Sequence, residues 1–234
     1  MSFEFSHLTD VQELQYGFSS KNDGSMNRNI ERENRATYFN RIGIGYDNIV
    51  TADLVHGANI KKVGSNEKGT YIPDCDGLIT NNEGVFLSAT GADCFIIYFF
   101  DPQHQAVGIG HAGWRGILGG IVANTVSSFI EHMGTSPEAL LVGISPGIQA
   151  CHFEISPDDS KKYDKYPGCI VERDVKTFID LTSILKQQLQ NEGVLENNVE
   201  DSGICTYCDK QEYFSFRRDK PEKVQVMTGY IGLT

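Results

Sequence analysis

The chain has 234 residues, is 40% hydrophobic and carries a formal net charge of −11. That length and apolar content allow one large domain or two small ones with a substantial core, and they exclude global disorder. The acidic balance excludes a general DNA or RNA backbone binder, because neutralising phosphates needs a basic surface, yet it leaves room for a small anion in a local basic pocket.

The opening stretch MSFEFSHLTDVQEL has no basic segment followed by an apolar core, so no signal peptide is expected. No apolar run approaches bilayer length; the longest, CFIIYFF at 94–100, has the length of a strand. The expectation is a soluble, cytoplasmic protein with neither membrane nor nucleic-acid polymer as partner. Residues 19–35 are the least core-like stretch, with turn-forming Asn and Gly, and a helix is expected near 31–41. Strands are expected near 49–55, 59–63, 77–80, 85–90, 94–100 and 105–110, and the unbroken apolar run at 94–100 predicts a central strand covered on both faces.

A helical stripe of Ile117, Leu118, Ile121, Val122, Val126, Phe129 and Ile130 predicts a helix over 117–132. ALLVGI at 139–144 reads as another buried strand. Leu181, Ile184, Leu185 and Leu189 form a second stripe, with Asp180 as N-cap and Gly193 as stop. EYFSFRR at 212–218 and KVQVMTGYI at 223–231 read as closing strands. Alternation of the two element types predicts a single α/β (α+β) domain over 1–234, with mixed sheets layered against helices. The strand order is not readable from the sequence.

Six cysteines, at 75, 94, 151, 169, 205 and 208, fit thiols or metal ligands better than a disulfide framework in a cytoplasmic chain. VGIGHAGWRGILGG at 107–120 sets His111, Trp114 and Arg115 among glycines at an expected strand-to-helix turn. GIGHAG at 108–113 satisfies G-x-G-x-x-G, with Glu131 about 20 residues on, but the short pattern is permissive and the histidine crowds the place of a pyrophosphate. His111 also reads as a metal ligand. His56 in LVHG and Cys94 in GADCF lie at other expected strand ends, and two His with one Cys suit zinc with an open fourth position. The plain alternative is three ordinary buried residues. A thiolate–imidazole pair of Cys94 and His111 would serve acyl transfer and leave His56 idle.

Asp93, beside Cys94, would orient a ligand or act as acid or base, or is a turn aspartate. CTYC at 205–208 has no second pair at short range and no thioredoxin-like context, so it reads as unpaired thiols or as one useful cysteine beside an incidental one. Arg217 and Arg218 in SFRRD suit a phosphate or a solvated surface; Arg115 has the better claim to a pocket.

Several collinear stretches resemble one family. They are VHG at 55–57, DGLIT at 76–80, GADC at 91–94, HAGWRG at 111–116, ISPGIQACHFEI at 144–155, IDL at 179–181, CTY at 205–207 and YFSFRRD at 213–219. Together they resemble the bacterial laccase-domain family, also called polyphenol-oxidase-like and described as purine nucleoside phosphorylases. The resemblance implies a zinc site on His56, Cys94 and His111 and a layered mixed fold grouped with cysteine hydrolase-like proteins. It implies phosphorolysis of adenosine, inosine and methylthioadenosine, with adenosine deamination as a side activity. An older label for the family is copper-dependent phenol oxidation. A laccase needs several coppers and many histidines, whereas this chain has six His. A non-enzymatic binding module is a further alternative.

The N-terminal run departs from the family's F-S-T-R-x-G-G. Here it is FSSKNDG, with Lys21 in the arginine's place, which keeps the charge and loses the bidentate fork. SMN at 25–27 and NR at 34–35 retain the resemblance. The implied substrate and phosphate contacts are therefore Lys21, Asn27, Arg115, Arg217 and Arg218, with Asp93, Cys94 and Arg115 as catalytic residues.

Overall fold

Apolar residues at every position of 94–100 require cover on both faces of the strand they form. The computed structural model describes residues 3–29 and 32–234, and in it that strand is Phe95–Asp101, buried throughout. Alternate side chains point to opposite faces. Ile96, Tyr98 and Phe100 enter one core with Val50, Leu87 and Ile231, while Phe95, Ile97 and Phe99 enter another with Ile121, Phe129 and Ile184. Each such side chain, once fully buried, contributes about 1.5–3 kcal/mol.

The first core lies between two sheets. One has six strands in the order Val199–Asp201, Leu141–Ile144, Phe95–Asp101, Ala106–Ala112, Gly77–Thr80 and Ile60–Lys62, parallel at both ends and antiparallel between. The other has five, Leu14–Phe18, Met227–Leu233, Phe86–Gly91, Ile49–Ala52 and Tyr71–Ile72. Helices Trp114–Gly119, Ile121–Met133 and Leu181–Asn191 cover the outer face of the six-stranded sheet. Helix Arg32–Arg41 covers the five-stranded one through Tyr38 and Phe39, which meet Ile49, Phe86 and Tyr230. A small third sheet, Glu154–Ile155, Lys176–Ile179 and Ile170–Arg173, stands beside them. The result is the mixed α/β domain expected from the sequence. Among the described residues no helix is long and apolar enough to cross a membrane.

Three expectations change. The helix expected over 117–132 starts earlier and is two helices, broken at Gly120, whose φ of 92° is left-handed and open to glycine. Residues 212–218 do not form a strand. Ser215 caps a short helix, Phe216–Asp219, and the Arg218 guanidinium takes the carbonyls of Thr206, Tyr207 and Tyr213. The last strand is Met227–Leu233, displaced toward the C-terminus of the expected one. Two elements had no clear signal. Leu14–Phe18 is a short edge strand, and the hairpin of Ile170–Arg173 with Lys176–Ile179 turns on Asp174 and Val175, both at positive φ without glycine. Residue 31, at the start of the helix expected near 31–41, lies outside the described residues; the helix runs Arg32–Arg41.

The N-terminal segment is tied down by one carboxylate. Glu200 accepts from the Ser6 amide and hydroxyl and from His7. Partial burial opposes its charge, but these donors prevail and hold it at about 2, against an ordinary 4.5. A depressed folded-state value stabilises the fold above pH 4.5, and that stabilisation is lost as pH falls toward 2. Glu200→Gln should cost about 1 kcal/mol at neutral pH and flatten the loss of stability between pH 5 and 3, read by urea unfolding across that range.

Candidate metal and ligand site

The antiparallel register between Phe95–Asp101 and Ala106–Ala112 pairs Phe95 with Ala112 and Ile96 with His111. Cys94, just before the first strand, therefore stands beside His111 near the end of the second. Gly77–Thr80 lies on the other flank of the His111 strand, with Gly77 opposite Gly110. That register places Asp76 against His111. The third ligand-bearing segment is the 53–59 loop, where His56 adopts a φ of 58°.

Asp76 joins the two segments that carry His56 and His111. It is fully buried, and its Oδ1 accepts from the His56 amide at 2.9 Å and meets His111 Nδ1 at 3.0 Å. Its Oδ2 accepts from the Gly57 amide at 2.7 Å, and its carbonyl accepts from the His111 amide at 2.7 Å. Burial would raise its pKa, but the donors from His111, Gly57 and His56 overcome this and hold the carboxyl below its ordinary range. Burial likewise disfavours charge on His111; the opposing charges of Cys94 and Asp76 outweigh it and lift the imidazole to about 9. His56 is lowered, first by burial and then by His111.

One ligand atom from each of His56, Cys94 and His111 lies within 4.8 Å of the other two. The imidazole rings of His56 and His111 are 5.0 Å apart and nearly perpendicular. Such a His2Cys set can hold a metal with one position left for a ligand. A carboxylate on Nδ1 leaves Nε2 of His111 to face the ion, the usual outer contact of a ligating histidine. The glycines after His111 answer to close approach. A Cβ at Gly113 would stand 2.9 Å from Cys94 Sγ, and one at Gly116 would stand 2.7 Å from the Gly57 carbonyl. The G-x-G-x-x-G pattern is not a phosphate loop, because residues 108–112 lie inside the antiparallel strand. Gly108 instead lets Phe129 of the covering helix sit against the sheet.

All three residues open into a cavity of about 890 Å³, within the range of small-molecule sites. Trp114 forms part of its wall, with the Arg115 guanidinium 4.5 Å and the Lys162 ammonium 5.3 Å from the ring. Among the cations that line it, Arg28 is paired with Asp53 and Lys162 with Asp159. Arg115, Arg217 and Arg35 have no carboxylate within ion-pair distance among the described residues. Arg35 is the one the sequence did not single out for chemistry. It is only 1% exposed, and its guanidinium bonds to the hydroxyls of Thr51 and Ser88 and the Met26 carbonyl, leaving Nε without a partner. A buried guanidinium facing a cavity without a counter-charge is suited to an anion.

The other expected contacts separate. Arg217 lines the cavity, bonds the Glu154 carbonyl and lies over the Phe153 ring. Asn27 also lines it, its amide donating to the Val224 carbonyl. Lys21 lies over Phe214 and is absent from the cavity wall. Arg218 donates to three carbonyls and pairs with Asp219, which braces the loop, and it is absent from the cavity wall. Asp93 lines the cavity at a φ of 84°, but its Oδ1 accepts from Thr206 and its Oδ2 from the Arg217 amide, both at 2.7 Å. It positions the Cys94 loop. The thiols of CTYC are not isolated either: Cys205 and Cys208 meet Cys151 and His152, all within 4.8 Å.

This layered fold is that of the laccase-domain proteins. A family model described as multi-copper polyphenol oxidoreductase laccase matches residues 9–234, and the chain belongs to that family. It is 33% identical over 186 residues to the purine nucleoside phosphorylase YlmD of Geobacillus stearothermophilus, covering 73% of this chain and 67% of that protein. It is 31% identical over 196 residues to the purine nucleoside phosphorylase LACC1 of Homo sapiens, covering 81% of this chain but only 45% of that longer protein. The crystal structure of Bacillus licheniformis hypothetical protein YfiH superposes with a TM-score of 0.88 at 27% identity, over 96% of this chain and 94% of that one. The crystal structure of the Geobacillus YlmD superposes at 0.87, also at 27% identity, over 95% and 92%.

Asp93 carries two buried bonds that hold the 206 and 217 backbones to the Cys94 loop. Asp93→Ala should lower stability by about 2 kcal/mol or more in urea unfolding, because hydrogen bonds to a charged acceptor are lost and their donors stay buried.

Proposed function

We propose that the whole chain acts as one zinc-dependent purine nucleoside phosphorylase domain in the cytoplasm. It takes adenosine, inosine and methylthioadenosine with phosphate and releases the free base and the ribose 1-phosphate, with deamination of adenosine to inosine as a side activity. The observation that carries this reading is one cavity lined both by His56, Cys94 and His111 and by the buried, uncompensated Arg35. The names of the relatives support it.

The donor set fits zinc: a thiolate and two imidazoles from three segments, with the buried imidazole oriented by Asp76. When bound there, the ion supplies a Lewis acid with one exchangeable position. Copper is the metal of the family's description, but a laccase needs several coppers on histidine-rich sites, and this chain has six histidines, of which two stand in this site.

Phosphorolysis breaks the bond from the purine nitrogen to C1′ and forms a bond from C1′ to a phosphate oxygen; the departing base takes the electron pair and then a proton. Arg35 binds the phosphate, and the Thr51 and Ser88 hydroxyls on its Nη2 hold the fork in place beforehand. Arg115 and Arg217 add positive charge at the same cavity. The Trp114 ring offers a flat face for the base. Asn27 adds a polar group to the wall.

A second reading has its own observation. Asp76, His111 and Cys94 also make the carboxylate–imidazole–thiol series of a cysteine hydrolase. The two readings part on metal dependence. Zinc-loaded protein is incubated with adenosine and with inosine, with and without phosphate, and the products are separated by chromatography. Free base formed only with phosphate is expected, together with some inosine from adenosine. Cys94→Ala should lose the zinc of this His2Cys site and turnover together. Full turnover in metal-free Cys94→Ala overturns the zinc site; absence of any base release overturns the phosphorylase. Hydrolytic activity abolished by thiol alkylation and indifferent to chelators favours the second reading.

Arg35→Lys keeps the charge and loses the fork. It should raise the KM for phosphate about 10-fold or more while the KM for inosine changes little, read from initial rates at varied phosphate.

A further inference from the structure

A second His/Cys cluster lies outside the residues used above. Cys151 and His152 sit on the loop before Glu154–Ile155, and Cys205 and Cys208 on the turn after Val199–Asp201. The loops are joined by backbone: Gly147 bridges Cys205 in parallel, with the Gly147 amide on the Ile204 carbonyl and the Thr206 amide on the Gly147 carbonyl. Four ligand atoms, three Sγ and the His152 Nδ1, fall within 4.8 Å of one another.

The three shortest spacings are close to the edges of a metal-centred tetrahedron. Bonds of about 2.3 Å to sulfur and about 2.0 Å to nitrogen at tetrahedral angles set edges of about 3.8 Å between sulfurs and about 3.5 Å from sulfur to nitrogen. Here Cys151 Sγ is 3.6 Å from Cys208 Sγ, and His152 Nδ1 is 3.2 Å from Cys151 Sγ and 3.3 Å from Cys208 Sγ. The surroundings are also those of a ligating set. The Gln149 amide points at Cys205 Sγ at 3.5 Å, the Arg173 guanidinium donates to the Cys151 carbonyl at 2.8 Å, and Tyr207 stacks on the His152 ring at 3.9 Å and so fixes its plane. A thiolate cluster gains from amide donors and a nearby cation.

We propose that Cys151, His152, Cys205 and Cys208 bind a structural zinc ion. Four protein ligands close the coordination sphere, so this ion takes no part in turnover. It clamps the 147–155 loop to the 204–208 turn. The turn carries Thr206, which bonds Asp93 beside Cys94, and the loop carries Phe153 and Glu154 of the cavity wall. A disulfide between Cys151 and Cys208 would engage only two of the four residues and leave His152 and Cys205 without a purpose.

The proposal is independent of the phosphorylase reading, because its test counts metal. Purified protein is loaded with zinc, dialysed and assayed for zinc per chain, and cobalt(II) is substituted for spectroscopy. Cys94→Ala should retain one equivalent of zinc. Its cobalt form should show thiolate-to-cobalt charge transfer and the intense visible bands of a tetrahedral site. Both should vanish in Cys94→Ala/Cys208→Ser, a change at an exposed position. Cys208→Ser alone should keep the other equivalent. Absence of zinc from Cys94→Ala overturns the proposal. So does zinc that persists in the double variant, or a thiol count in the denatured, unreduced protein two short of six.

Discussion

The carboxylate of Asp76 is the constraint around which the rest is arranged. It is fully buried against the His111 imidazole, so it is tolerable only if both its oxygens are satisfied. Its donors come from the 53–59 loop and from the next strand of the six-stranded sheet, which are the segments that bear His56 and His111. Satisfying one buried charge thereby fixes two ligand-bearing segments. The third segment is fixed by Asp93, which binds the Cys94 loop to the chain near 206 and 217. The metal corner and the cavity wall are thus braced by two aspartates, Asp76 and Asp93.

The sheets make that arrangement rigid. His111 lies in a strand whose seven residues are buried, flanked by Phe95–Asp101 and Gly77–Thr80. Functional groups at strand ends in a close-packed interior have little room to drift. By contrast, Arg115 is exposed over the Trp114 ring, and the cations at the cavity differ in how far packing fixes them. Arg35 is the most constrained, and it owes this to hydroxyls on two strands of the five-stranded sheet.

Much of the fold could be read from the chain, for physical reasons. The run at 94–100 announced a strand buried on both faces because no polar residue interrupts it. The stripes at 117–132 and 181–189 announced helices because their apolar period is helical. His56, Cys94 and His111 were legible because each ends an apolar run beside small residues. Asp76 was not, since an aspartate before a strand looks like any turn residue until the strand register is known. Arg35 was hidden in the most polar stretch, and its burial depends on Thr51 and Ser88, far along the chain. The partners of Cys205 and Cys208 were invisible because Cys151 and His152 lie more than 50 residues earlier. The aromatic residues before Arg217 suggested a strand that Ser215 and Arg218 convert into a capped turn.

The five-stranded sheet has a further consequence. Met227–Leu233 lies between Leu14–Phe18 and Phe86–Gly91 and pairs Leu14 with Leu233. The first strand of that sheet is made well before Met227–Leu233, its one strand neighbour among the described residues. Residues 14–18 must therefore wait, exposed, while some 200 residues are added. Sheet closure then requires contacts of very large sequence separation, which are slow to form. A pause before residues 227–233 are made would prolong the lifetime of an unpaired sheet edge, the form in which such a chain is most open to aggregation or to capture by a chaperone.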